Sequence, residues 1–297
     1  MKRRSLLIVG AGLLAGCSSK PQTSPTTSAP APTVATTPSP RPSATPPPRA
    51  SATPRPAVAL PVVRPWVPGA GEIHPEVKRA AVAAVVKLLG RSGAAVDVID
   101  AQYGGILSDS ASVLVPCRVY TTAGGRVLTG GTTVDVRLNK SDGTWRVTAT
   151  HPAQPGAATS RLSAVARQVL ASERIALPPA SAADIRSGQV HDSVLSTMLE
   201  LAKTYRIGIS VIRSGHPINV FGTNRPSDHP RGRAFDTWQI NGRAVVAPDT
   251  SRSLITSYMR AAESLGSYNV GGPYQLSGAA FFSDQTHHDH VHAGFRP

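Results

Sequence analysis

The chain has 297 residues, enough for one or two ordinary domains, and a formal net charge of +14. Residues 1–71 hold eight Lys or Arg and no Asp or Glu, so +8 lies there and +6 is spread over the rest. No basic helix or aromatic-interleaved basic patch accompanies the charge, which argues against nucleic acid as a partner, and two cysteines exclude a multi-disulfide framework.

Lys2, Arg3 and Arg4 precede a short apolar run, Ser5 to Gly16, too short to span a bilayer comfortably. The run ends in Leu14-Ala15-Gly16-Cys17, which resembles the lipobox of bacterial lipoproteins. That resemblance implies a signal peptide over residues 1–17, lipidation at Cys17, and an exported chain held at the outer face of the cytoplasmic membrane. An uncleaved anchor, or an ordinary signal with a chance cysteine, is the bland alternative. Residues 18–71 are rich in Pro, Thr, Ser and Ala. Such a segment buries too little apolar surface to offset chain entropy, so a disordered or extended linker is expected. Its basic charge suits anionic lipid headgroups and wall polymers. Cys117, within an apolar run, reads as a small buried residue rather than a nucleophile.

Residues 72–155 read as a small α+β unit. The spacing of Val77, Ala80, Ala81, Ala84, Val85 and Leu88 predicts a helix over Pro75–Leu89. Strands are expected at Val96–Gln102, Ser112–Thr121, Thr132–Leu138 and Thr144–Thr150, with a hairpin turn at Lys140–Gly143. One helix before an antiparallel meander resembles cystatin-like or NTF2-like folds, a likeness of topology that carries no function. Residues 156–184 form a helical junction, its helix at Ser160–Glu173 ended by Pro178-Pro179. In residues 185–297, helices are expected at Val190–Tyr205 and Ser251–Leu265. Strands are expected at Ile207–Ile212, Arg233–Ile240, Phe281-Phe282 and His290–Phe295, with a turn at Asn241-Gly242. The fold class is α+β.

The chemistry concentrates in this last part. His229 and Asp236 flank a Pro- and Gly-containing loop that runs into a strand. His290 and His292, two apart on a strand, share a face. His, Asp and His in this arrangement suit one zinc ion with an open fourth position, and the absence of Cys excludes a closed thiolate site there. A His-rich surface tail that binds metal adventitiously is the alternative.

Ser227-x-His229-x-x-Gly232-x-Ala234-x-Asp236 resembles the motif of D-alanyl-D-alanine carboxypeptidase-type zinc peptidases, of the hedgehog/DD-peptidase fold, at each fixed place. His290-Val291-His292 resembles their second motif, and Ser210–Gly215 the segment that precedes the first. The resemblance covers roughly residues 185–297. It implies His229, Asp236 and His292 as zinc ligands and His290 as a stabiliser of the transition state. It also implies peptidoglycan stem peptides as substrate. Many members place a Glu three residues before the last His as general base; this chain has Asp289, one methylene shorter. Three residues from His292 is also the opposite face of a regular strand, so Asp289 serves only where the strand starts after it or bulges. Asp284, His287 and His288 are the other candidates for the base. Arg213, Arg225 and Arg231 are candidate anchors for a substrate carboxylate. Ser227 binds substrate or caps its loop, and His216 lines the cleft or is structural. A non-catalytic zinc- or wall-binding lipoprotein is the competing function, and a third reading makes residues 72–151 the binding module.

Overall fold

The computed structural model describes residues 58–297; the signal segment, Cys17 and the linker up to residue 57 lie outside them. No helix among the described residues is long and apolar enough to cross a membrane. Among the described residues the architecture is mixed α+β, with five α-helices and two sheets in one compact unit. Residues 58–71 carry no helix or strand, and Trp66 packs on the first core.

Helix α1 (Pro75–Leu89) begins with proline in its first turn, where the missing N–H costs nothing. Strands β1 (Ala95–Val98), β2 (Gln102–Ile106), β3 (Ser110–Ala123), β4 (Arg126–Ser141) and β5 (Thr144–Pro152) form an antiparallel sheet. Its order is β1-β3-β4-β5, with β2 also on β3. Val134, Val136 and Leu138 alternate along β4, all fully buried beneath Val77, Ala81 and Val85 of α1. The β4–β5 turn places Asp142 and Gly143 at positive φ, the backbone a tight two-residue hairpin needs. Cys117 is buried in this core, and burial pushes its thiol up to about 11, so it is inert there.

The expected strand Val96–Gln102 is instead two. The chain leaves the sheet at Ile99 and returns at Gln102 as β2, a short edge strand.

The second half contains α2 (Ala164–Ala171), β6 (Ile175–Ala176), α3 (Pro179–Arg186), α4 (Asp192–Thr204), β7 (Ile207–Val211), β8 (Ala234–Ile240), β9 (Arg243–Ala244), α5 (Arg252–Ser264), β10 (Asn269–Gly271), β11 (Phe281–Phe282) and β12 (Val291–Gly294). The junction helix is shorter than the expected Ser160–Glu173, and Pro178-Pro179 does not end it: α2 stops at Ala171, β6 intervenes, and Pro179 opens α3. The sheet order is β11-β10-β12-β8-β7-β6, with β9 on β8. Pairing is antiparallel except β6 with β7 and β10 with β11. Helices α2, α4 and α5 cover one face through Val169, Val194, Met198, Leu201, Tyr258 and Met259. The strand centre of this sheet, β12-β8-β7, carries the site on its other face.

Candidate metal centre

In the β12–β8 register His292 stands directly opposite Asp236. Cross-strand neighbours on one face lie within about 5.5 Å, so the pairing alone brings these side chains together. His229 arrives from a short 3-10 turn, His229–Arg231, that ends at Gly232 in the left-handed region, φ 70°. A Cβ at Gly232 would collide with the Gln189 carbonyl, so the position takes glycine for both backbone and space. Ala234, fully buried, opens β8 two residues before Asp236.

His229 Nε2, Asp236 Oδ1 and His292 Nδ1 form a triangle with sides of 3.1, 3.0 and 3.1 Å. Four ligands tetrahedrally disposed about zinc at about 2.0–2.1 Å stand about 3.3 Å apart, close to these sides. His229 Nδ1 lies 2.8 Å from the Ile212 carbonyl, which only accepts, so Nδ1 carries a proton and donates it. Its Nε2 is thereby aimed at the Asp236 carboxylate at 3.1 Å, where a ring proton or a bound cation can lie between them. The donor set therefore fits a metal ion. His216 stacks on His229 at 4.1 Å between ring centroids, and its ligand atom lies within 4.8 Å of those of His229 and Asp236. It flanks the triangle.

The electrostatics favour the ligand forms. Burial alone would raise the Asp236 carboxyl, but His229 and His290 beside it hold it well below the usual range. Burial pushes the His292 imidazole down to about 4, against the opposing hydrogen bond to Asp236, and leaves it neutral at pH 7. Burial lowers His216 too, helped by His229.

Asp289 does not face the triangle, contrary to its expected role as base. It ends the 3-10 turn Thr286–His288 before β12 begins, and its carboxylate points back into the first half. It accepts from Lys78 Nζ at 2.6 Å, the Tyr103 backbone N–H at 3.0 Å and His290 Nδ1 at 2.6 Å. Burial would raise this carboxyl, but the Lys78 ammonium together with His290 and His288 outweighs it and holds the group low. His290, with Nδ1 so occupied, brings Nε2 to 3.8 Å from Asp236 Oδ2. Burial works against its protonated form, yet Asp236 and Asp289 raise it above its ordinary value.

The triangle opens on a cavity of about 510 Å³. Tyr103, Ile106 and Leu107 from the first half line it, together with Phe282, with Phe221 packed against Gly105, and with the polar groups His290 and Arg225. Of the arginines, only Arg225 lines this cavity. Arg213 is held by Asp184, Gln189 and the Pro155 carbonyl, and Arg231 is exposed outside it. Ser227 Oγ accepts from the His229 backbone N–H at 3.3 Å, which is loop capping, while the residue also borders the cavity. Asp284 and His287 pair with each other at 2.7 Å on the cavity rim. His288 turns to Glu72, away from the triangle.

Four residues that the sequence did not single out complete the surroundings: Glu72, Lys78, Gln102 and Tyr103. Lys78 is the one with a local signal. It shares the buried stripe of α1 with Ala81, Val82 and Val85, an apolar face on which a lysine is out of place.

Comparison with known protein families, curated proteins and solved structures found no match to this chain.

Proposed function

We propose that the chain is a zinc-dependent peptide hydrolase, with His229, Asp236 and His292 as ligands and peptidoglycan stem peptides as substrate. The observation that carries this reading is the triangle of converging donor atoms at the head of a cavity of about 510 Å³. The motif from Ser227 to Asp236 supports the fold family and substrate class, and the lipobox-like Leu14–Cys17 supports a wall-facing location.

Zinc held by three residues with one position free supplies Lewis acidity and brings the pKa of water toward about 7. The chain's own part is positioning and proton movement. Asp289 holds the His290 Nδ1–H, and both carboxylates favour the protonated ring, so Nε2–H is presented beside Asp236. His290 Nε2–H would stabilise the developing oxyanion and hand its proton to the leaving amine, the ring regaining one from the attacking water. Asp289 is thus the residue that orients His290. Arg225 is the cation placed to hold a substrate carboxylate, and Tyr103, Phe221 and Phe282 exclude water along the walls.

Hydrolysis of purified stem peptides by the full chain tests this beside His290→Ala. The wild type, loaded with zinc, cleaves; His290→Ala keeps the ion and loses about 10²–10⁴-fold in turnover. A zinc-loaded wild type that cuts no stem peptide gives way to the non-catalytic wall-binding reading.

A further inference from the structure

The first half of the chain does more than wall the cavity. Gln102, the first residue of β2, is fully buried and crosses to the second sheet. Its Nε2 lies 2.6 Å from Asp236 Oδ2, the oxygen that the triangle leaves over. Its Oε1 accepts from the hydroxyl of Ser210, itself fully buried on β7. The orientation of the amide follows from its partners: an ionised carboxylate only accepts, so the NH₂ must face Asp236. Ser210 Oγ also reaches the Asp236 carbonyl at 3.2 Å. Both ends of one side chain are therefore fixed, and one of those ends touches a proposed ligand.

From this we propose that Gln102 is a positioning residue of the metal centre, contributed by the N-terminal α+β part, that ties Asp236 Oδ2 and so leaves Oδ1 alone to bind the ion. The inference rests on the reading of His229, Asp236 and His292 as ligands. A carboxylate free to turn can take a metal through both oxygens and fill the position meant for water. A donor on Oδ2 prevents that and fixes the direction of the Oδ1 lone pair. Lys78 and the Tyr103 N–H act on Asp289 from the same part of the chain, so both carboxylates behind the site are set by residues more than 130 positions away in sequence. By this account residues 72–152 are integral to the metal centre and are not a separate binding module.

The test uses the full chain with Gln102→Met, which keeps length and bulk and removes both hydrogen bonds. Three quantities are read: zinc affinity by chelator competition, the visible spectrum of the cobalt(II)-substituted protein, and the melting temperature without metal. The expected result is a 10–100-fold loss of zinc affinity and an altered cobalt spectrum, beyond any change in metal-free melting. Unchanged affinity and spectrum in a folded Gln102→Met protein would overturn the proposal. If that variant does not fold, Gln102→Asn, polar but too short to span Ser210 and Asp236, carries the same two expectations. A wild type that binds no zinc or cobalt sinks the ligand assignment itself, a different failure from a metal-binding wild type matched by its variant.

Discussion

Two clusters of ligand-type residues lie side by side in this molecule and differ in one respect. His229 and Asp236, with His292 and the flanking His216, converge with no lysine or arginine of the described residues among them, whereas Glu72, His288 and Asp289 surround the Lys78 ammonium. Both groups have the composition of a metal site. The second already has its cation: Lys78, fully buried, is paired with Glu72 and Asp289. Carboxylates and imidazoles near one another do not define a metal centre; what matters is whether a lysine or arginine already sits among them. At the triangle His229 Nδ1 donates to the Ile212 carbonyl, and the three ligand atoms converge without such a side chain between them.

The sharpest way to break the comparison is to remove the built-in cation. Lys78→Met leaves Glu72 and Asp289 buried without their partner. A loss of about 3–5 kcal/mol is expected, read by denaturant unfolding of the metal-free protein. A loss below about 1 kcal/mol would mean that the ammonium is dispensable. The pH profile of the same experiment sharpens the point. Burial would lower the Lys78 ammonium, but Asp289 and Glu72 raise it above the ordinary lysine value, so its contribution is full below that value and is lost as alkaline pH passes the raised one. Asp289 is depressed below 3.8, so its contribution is present above that value and lost as pH falls through the lower one. Asp100, near Lys78 and raised by burial to about 7, loses the help of this ammonium in Lys78→Met, so the wild-type margin should grow as pH rises through neutrality and shrink at alkaline and acid extremes. A margin flat across the whole range would contradict the pairing.

A second substitution separates the clusters by function. Asp289→Asn keeps the shape but removes the charge facing Lys78 and leaves one acceptor oxygen for three donors; with that oxygen on Lys78 and the Tyr103 N–H, its NH₂ faces His290 Nδ1. The ion should stay bound while turnover falls about 10²–10⁴-fold. Loss of zinc from this variant would place Asp289 among the ligands. The smallest effect is expected at Arg225→Ala, with KM raised about tenfold and kcat little changed, as loss of a charge-assisted contact to a substrate carboxylate predicts. Arg213→Ala, by contrast, removes the partner of buried Asp184 and should lower stability while KM holds.

How far sequence reveals these two clusters follows from where their residues sit. His229, Asp236 and His292 were legible because loop, strand and two-residue spacing are local patterns, and one antiparallel register then closes the gap between β8 and β12. The parity argument against Asp289 was legible too, and the side chain does point away from the triangle. Helix α1 and the turns at Asp142-Gly143 and Asn241-Gly242 followed from periodicity and positive-φ chemistry. Strand β2 was not legible, since its Gly104-Gly105 pair lacks the β-branched signal and its edge is completed by Asp289 and Thr286 from the far end of the chain. Gln102 and Lys78 gain meaning only from partners 134 and 211 positions away. No local pattern encodes such contacts, although a lysine on the buried stripe of α1 was a clue.

The most direct measurement is zinc stoichiometry of the full chain, by elemental analysis after equilibration and removal of free metal, beside His292→Ala. The account predicts one zinc per chain in the wild type and none retained in the variant, because the Lys78 cluster holds no ion of its own. One zinc kept by His292→Ala, or two in the wild type, would contradict it.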